Sequence, residues 1–247
     1  MIKKNIPLII ILFVDAVILF ICAAGIYHIS QKAALPFKLE KKNNKLVVIG
    51  REGKLNSIAE KETLTGVAGY NVKDVEEIEC ITDAIPIGGK VAVVLKNKNT
   101  EIEVRLKTVP FYRSAYLIIA SFVSLFFLLT GIFVLVKRPD LKSARLFHAG
   151  CVSTAVIIAT TWGNYAIEPY ELGKFLRIVF SAAYSFVPFF FILFVLSLRD
   201  SKPKRYLIIK IMLISVSTVI FILQSVSFLN FVDLKTIESL RLYLHIF

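Results

Sequence analysis

Five runs of about 20 residues, nearly all apolar, limit what this 247-residue chain can fold into. A helix needs roughly 20 such residues to cross about 30 Å of hydrocarbon. The first run, Ile6 to Tyr27, carries one charge, Asp15. Ala115 to Val136 carries none, and Ala149 to Ile167 is more mixed, with Ser, Thr and Gly. Phe175 to Leu198 contains only Arg177, and Leu207 to Leu229 only Lys210, each near its start. The overall 56% of hydrophobic residues, 20 of them Phe, agrees with this, since soluble domains hold about 45–50%. A sixth run starts near Leu240 and has only eight residues, too few to span. The chain is therefore expected to be a piece of a longer protein.

The formal charge of +12 invites a nucleic-acid reading, so its location decides. Residues 36–109 hold 13 basic and 11 acidic residues, leaving a surplus of only two. The other positive charge lies mostly at the ends of the apolar runs, where it sets membrane orientation. Nucleic acid is not an expected partner; the lipid bilayer is.

Lys3 and Lys4 place the N-terminus in the cytoplasm by the positive-inside rule. The loops "KRPDLKSARLFH" and "LRDSKPKRY" are basic and belong on the same side; "WGNYAIEPYELGK" and "NFVDLKTIESLR" are poorer in basic residues and belong outside. The polar segment 28–113 then lies outside a cell membrane. The first run ends in Ala23-Ala24-Gly25 and so could be a cleaved signal peptide. Its length, well beyond a 7–15-residue signal core, favours an uncleaved anchor.

Within the polar segment, "KLVVIG" reads as a strand bounded by Asn43-Asn44 and Gly50, and "TLTGVAGYNV" as a short strand entering a turn at Gly69. Val75, Ile78, Ile81 and Ile85 recur at helical spacing, with Asp74 and Glu77 placed for a capping box. The last element is a hairpin, "KVAVVLKNKNTEIEVRLKTV", with Ile102, Val104 and Leu106 predicted inward. The order is strand, strand, helix, strand, strand.

This segment resembles a bacterial-type PDZ domain. The resemblance rests on "VAGYNV", the helix "DVEEIECITDA", "IPIGGKV" and the closing hairpin. It covers about 75 residues, and 63–109 fit well. It implies a peptide groove between Leu46, Val47, Val48 and Ile49 on the strand and Val75 and Ile78 on the helix, filled by strand addition. The glycine-containing loop that holds a ligand carboxylate in such domains has no counterpart in "LPFKLEKKNNKLVVIG". The alternative is a structural or dimerising module. Anchor, external PDZ-like domain and further spans together look like the input half of bacterial sensor proteins, in which a histidine kinase, PP2C-type phosphatase or nucleotide cyclase follows.

The expected architecture is a membrane α-helical bundle with a small α+β PDZ-like domain inserted between spans 1 and 2. The anchor covers 5–27, the domain 33–110 and the polytopic region 114–247. Further spans are expected at about 114–136, 148–167, 174–198 and 207–229, with a truncated one from 240.

Catalytic motifs are missing. His28, His148 and His245 are scattered, so no H-E-x-x-H exists, and no G-x-S-x-G, P-loop or dinucleotide loop is present. No enzyme activity, cofactor or metal is expected of these residues. Cys22, Cys80 and Cys151 read as small buried hydrophobes. Ionisable groups inside spans are functional candidates by default. Asp15, near mid-span, should pair with a polar group or sit protonated, as a helix–helix latch or as a tolerated polar residue. His148 is placed at the cytoplasmic mouth of the third span, for packing or for proton sensing. Trp162 and Asn164 line either a small external pocket or an interface belt. The expected function is the sensory, membrane-embedded half of a signalling protein, binding a peptide or protein outside, possible as a homodimer. The alternative is a membrane-anchored scaffold or assembly factor. A transporter ranks below both, with few buried polar residues and no visible inverted repeat.

Overall fold

The computed structural model describes residues 6–43, 45–51, 62–83, 85–97, 100–161, 170–198 and 205–234. Among the described residues five long helices are apolar enough to cross a membrane: α1 (Ile6–Ser30), α3 (Ser114–Lys137), α4 (Lys142–Thr160), α5 (Tyr170–Ser197) and α6 (Tyr206–Leu234). A short helix, α2 (Val75–Asp83), belongs to a β domain between α1 and α3. The truncated run from 240 lies outside the described residues.

The domain's sheet is antiparallel throughout. Its strands are β2 (Phe37–Lys42), β3 (Lys45–Arg51), β4 (Thr63–Val67), β6 (Lys90–Asn97) and β7 (Thr100–Lys107), in the order β2-β3-β4-β6-β7. A two-residue strand, β5 (Tyr70–Asn71), adds to β4 through a tight turn in which Ala68 and Gly69 both have positive φ, 50° and 84°. Alternation puts Val91, Val93 and Leu95 of β6 into a core with Leu46, Val48, Leu64, Val67 and Leu106. Ile78 closes that core from α2, with Val75, Ile81 and Ile85 half-buried around it. The inward face of β7 fades along its length: Leu106 is buried, whereas Ile102 is 44% exposed.

Besides β5, two features differ from the expected strand, strand, helix, strand, strand order. β2 is an additional strand, overlooked because "FKLEKK" carries four charges and turns only Phe37 and Leu39 inward. A separate ribbon, β1 (Ala33–Ala34) with β8 (Val109–Pro110), ties the domain's entry to its exit. The amide of Phe111 also donates to the Lys32 carbonyl at 2.9 Å. The ribbon therefore holds the end of α1 beside the start of α3.

In the bundle, α4 is the most enclosed helix. A stripe on α3, Ala120, Ser124, Leu128, Gly131 and Leu135, packs on it. Small residues at this spacing let helices approach closely where lipid offers no hydrophobic drive. The Ser124 hydroxyl donates to the Ala155 carbonyl at 2.9 Å. On the other side Gly25 of α1 sits so close to α4 that a Cβ there would stand 2.4 Å from the Ala159 carbonyl oxygen. Next, α5 packs on α4, and α6 packs on α5, where the Ser185 hydroxyl donates to the Gln224 amide oxygen at 3.5 Å. The outward faces, including Phe13, Phe20, Phe122 and Phe126, are exposed apolar surface of the kind lipid covers.

The third span begins at Lys142, six residues before its expected start. Lys142 and Arg145 remain exposed while Ala144, His148 and Cys151 turn inward at helical spacing, so the charged "loop" is the first turn of the helix.

Candidate functional site

Asp15 and His148 meet inside the bundle. Asp15 lies about 14 Å along α1 and His148 about 9 Å along α4, by helix rise. The two helices run parallel, since Gly25 also meets Ala159 further along both. The imidazole Nε2 stands 3.1 Å from each carboxylate oxygen of Asp15. Asp15 is 3% and His148 8% exposed. A lone carboxylate at mid-span costs roughly 2.5–3.5 kcal/mol on insertion scales, so a hydrogen-bonded partner offsets a real penalty. An ionised carboxylate only accepts, so the imidazole then carries a proton on Nε2. α3 backs the pair, with Gly131 against Cys151 and the His148 backbone. His148 is thus inside the bundle, not at its mouth, because α4 starts earlier than its charges suggest.

A second polar cluster sits where the β domain meets the membrane helices. Lys32, just past α1, is 2% exposed, and its Nζ lies 3.1 Å from Asp83 Oδ1 and 3.6 Å from Glu79 Oε2, both on α2. The same ammonium stands 5.1 Å from the centre of the Phe111 ring, a cation–π contact with the segment entering α3. The Thr82 hydroxyl donates to the Ala33 carbonyl at 3.3 Å. Burial pushes the Asp83 carboxyl up to about 6, against the pull of Lys32 and with a smaller push from Glu79. Sequence reasoning missed this cluster. A lysine at the end of an apolar run reads as an interface charge, and nothing in "QKAALPF" marks it as buried.

The strand expected to line a peptide groove, β3, is an interior strand. It pairs along its length with β2, and Leu46 and Val47 pair also with β4. Leu46 and Val48 point into the core and Ile49 is 46% exposed, with Val47 between these extremes. The edge beside α2 is therefore β2, which pairs only with β3 among the described residues. Half-buried Leu39 and Val75 lie on these two elements, and Ile78 is buried beneath. Lys41 of β2 forms an ion pair with Asp74, just before α2. Of the two residues placed for a capping box, the Glu77 carboxylate accepts from the Lys73 amide at 2.9 Å.

Trp162 and Asn164 fall outside the described residues. Buried Arg177, one of two charges noted in the later spans, lies with its guanidinium 4.9 Å from the Phe180 ring centre. Cys22 and Cys151 are free and buried, as small hydrophobes would be. Among the described residues no group of three or more His, Cys, Asp or Glu could hold a metal ion.

No protein-family model matches the chain, and no curated protein or solved structure matches it either.

Proposed function

We propose that this chain is the membrane-embedded sensory part of a bacterial signalling protein. Its PDZ-like β domain lies outside the cell membrane, takes an extended peptide or protein segment along β2, and passes its state to the bundle for a cytoplasmic effector. One observation carries the reading: Lys32 joins α2, the helix beside the β2 edge of the sheet, to the common end of α1 and α3. A ligand that moves α2 against β2 acts on that lysine, and α1 carries Asp15 to its partner on α4. A relay requires different affinity for two packings, and a hydrogen-bonded polar pair between helices supplies a discrete contact to make or break. The alternating order of helix ends fits the positive-inside rule, with Lys137, Arg138, Lys142, Arg145 and Arg205 at the end away from the β domain.

The test uses the full chain in lipid nanodiscs, probed with arrays of extended peptides. Binding that alters alkylation of Cys22 or Cys151 by a membrane-permeant maleimide supports sensing. Binding that leaves both rates unchanged supports the scaffold role instead, and no binding at high micromolar concentration removes peptide recognition.

A further inference from the structure

We infer that Lys32, Glu79 and Asp83 form a proton-binding site that sets how firmly α2 is docked on the joined ends of α1 and α3. The inference deepens the sensory reading and rests on it only for the consequence in the bundle. Two carboxylates one helical turn apart on α2 both meet the buried Lys32 ammonium, at 3.1 and 3.6 Å. The same cation stands 5.1 Å from the Phe111 ring centre, and the Thr82–Ala33 hydrogen bond seats α2 on the adjoining ribbon. A proton on Asp83 leaves the Glu79 carboxylate beside the Lys32 ammonium. Among the described residues the other ionisable groups on the surrounding elements include Tyr27 and His28 on α1, Tyr112 and Arg113 just before α3, and buried Glu77 on α2, whose carboxylate accepts from the Lys73 amide. β1 and β8 carry none, and β2 engages α2 at its opposite end through Lys41.

The sign follows from linkage. Asp83 docked titrates near 6, and exposed it returns to 3.8, so the docked form holds its proton more tightly. Docking is therefore favoured by acid and is lost as pH rises through about 6. Between pH 7.5 and 5 the docking equilibrium gains about tenfold.

Amide hydrogen exchange of α2, measured on the full chain in nanodiscs from pH 5 to 8 and corrected for intrinsic rates, tests this. Protection in the wild type should rise about tenfold toward pH 5, and Asp83→Asn should flatten the profile, which separates Asp83 from His28. Lys32→Gln should move the midpoint up and Glu79→Gln should move it down, an opposition that mere loss of structure does not produce. A flat wild-type profile, an unchanged profile in Asp83→Asn, or same-direction shifts in the other two would overturn the proposal. Should α2 titrate as expected while α1 and α3 do not respond, the proton site stands and the relay fails.

Discussion

The imidazole Nε2 of His148 stands equidistant, at 3.1 Å, from both carboxylate oxygens of Asp15, joining α4 to α1 within the apolar bundle. The contact spans 133 positions of sequence and links two residues buried in the same interface. Removing either partner strands the other in a medium with no water to replace it. Asp15→Ala and His148→Ala should each destabilise the bundle. The double variant should lose less than their sum, with a coupling of about 1–2 kcal/mol. Unfolding of the four proteins in mixed micelles measures it, and additive losses would show that the pair does not interact.

The close approach of α1 and α4 gives a steric prediction. A methyl at Gly25 would meet the Ala159 carbonyl oxygen at 2.4 Å and Thr160 Cγ2 at 2.7 Å. Gly25→Ala should cost about 1–3 kcal/mol by forcing the helices apart. Gly50→Ala, on β3 with nothing within 4 Å of its Cβ, is the control and should cost far less. Equal thermal midpoints for the two variants would contradict this packing.

In the β4–β5 turn, Ala68 holds φ of 50°, where an L side chain is disfavoured and glycine is not. Ala68→Gly should stabilise the β domain by roughly 0.5–1 kcal/mol, and Ala68→Val should destabilise it. Thermal unfolding followed by the β-sheet circular dichroism signal gives the sign directly.

Much of this arrangement is legible in the residues, and what is not has identifiable causes. The five spans follow from apolar run length, and α2 from the spacing of Val75, Ile78, Ile81 and Ile85. Asp15 and His148 each stand out as polar groups in or near a span. Their pairing does not, because apolar periodicity says little about which span neighbours which, and Lys142 and Arg145 disguise the first turn of α4. Lys32 escapes notice because its burial depends on Glu79 and Asp83, which are contributed by α2 some 50 residues later. β2 is hidden by its charges, which moved the expected groove one strand inward, onto β3.

That displacement separates two groove assignments. Strand addition along β2 predicts that Val75→Arg, on the facing helix, abolishes peptide binding. Ile49→Glu, on the interior strand, should change affinity less than twofold. Fluorescence anisotropy with any peptide recovered from the arrays makes the comparison, and the reverse ranking would return the groove to β3.

Under the proposed relay, the β domain and the helix bundle are coupled through Lys32. Cys22 of α1 and Cys151 of α4 are buried, so their alkylation reports opening of the bundle. The most direct measurement is their rate of reaction with N-ethylmaleimide in a Cys80→Ser background, in nanodiscs. Lys32→Gln should raise both rates roughly threefold or more, and Lys38→Gln, an exposed charge on β2, should leave them unchanged. Identical rates in the parent and both variants would mean that the β domain and the bundle do not communicate through this lysine, and would contradict the relay.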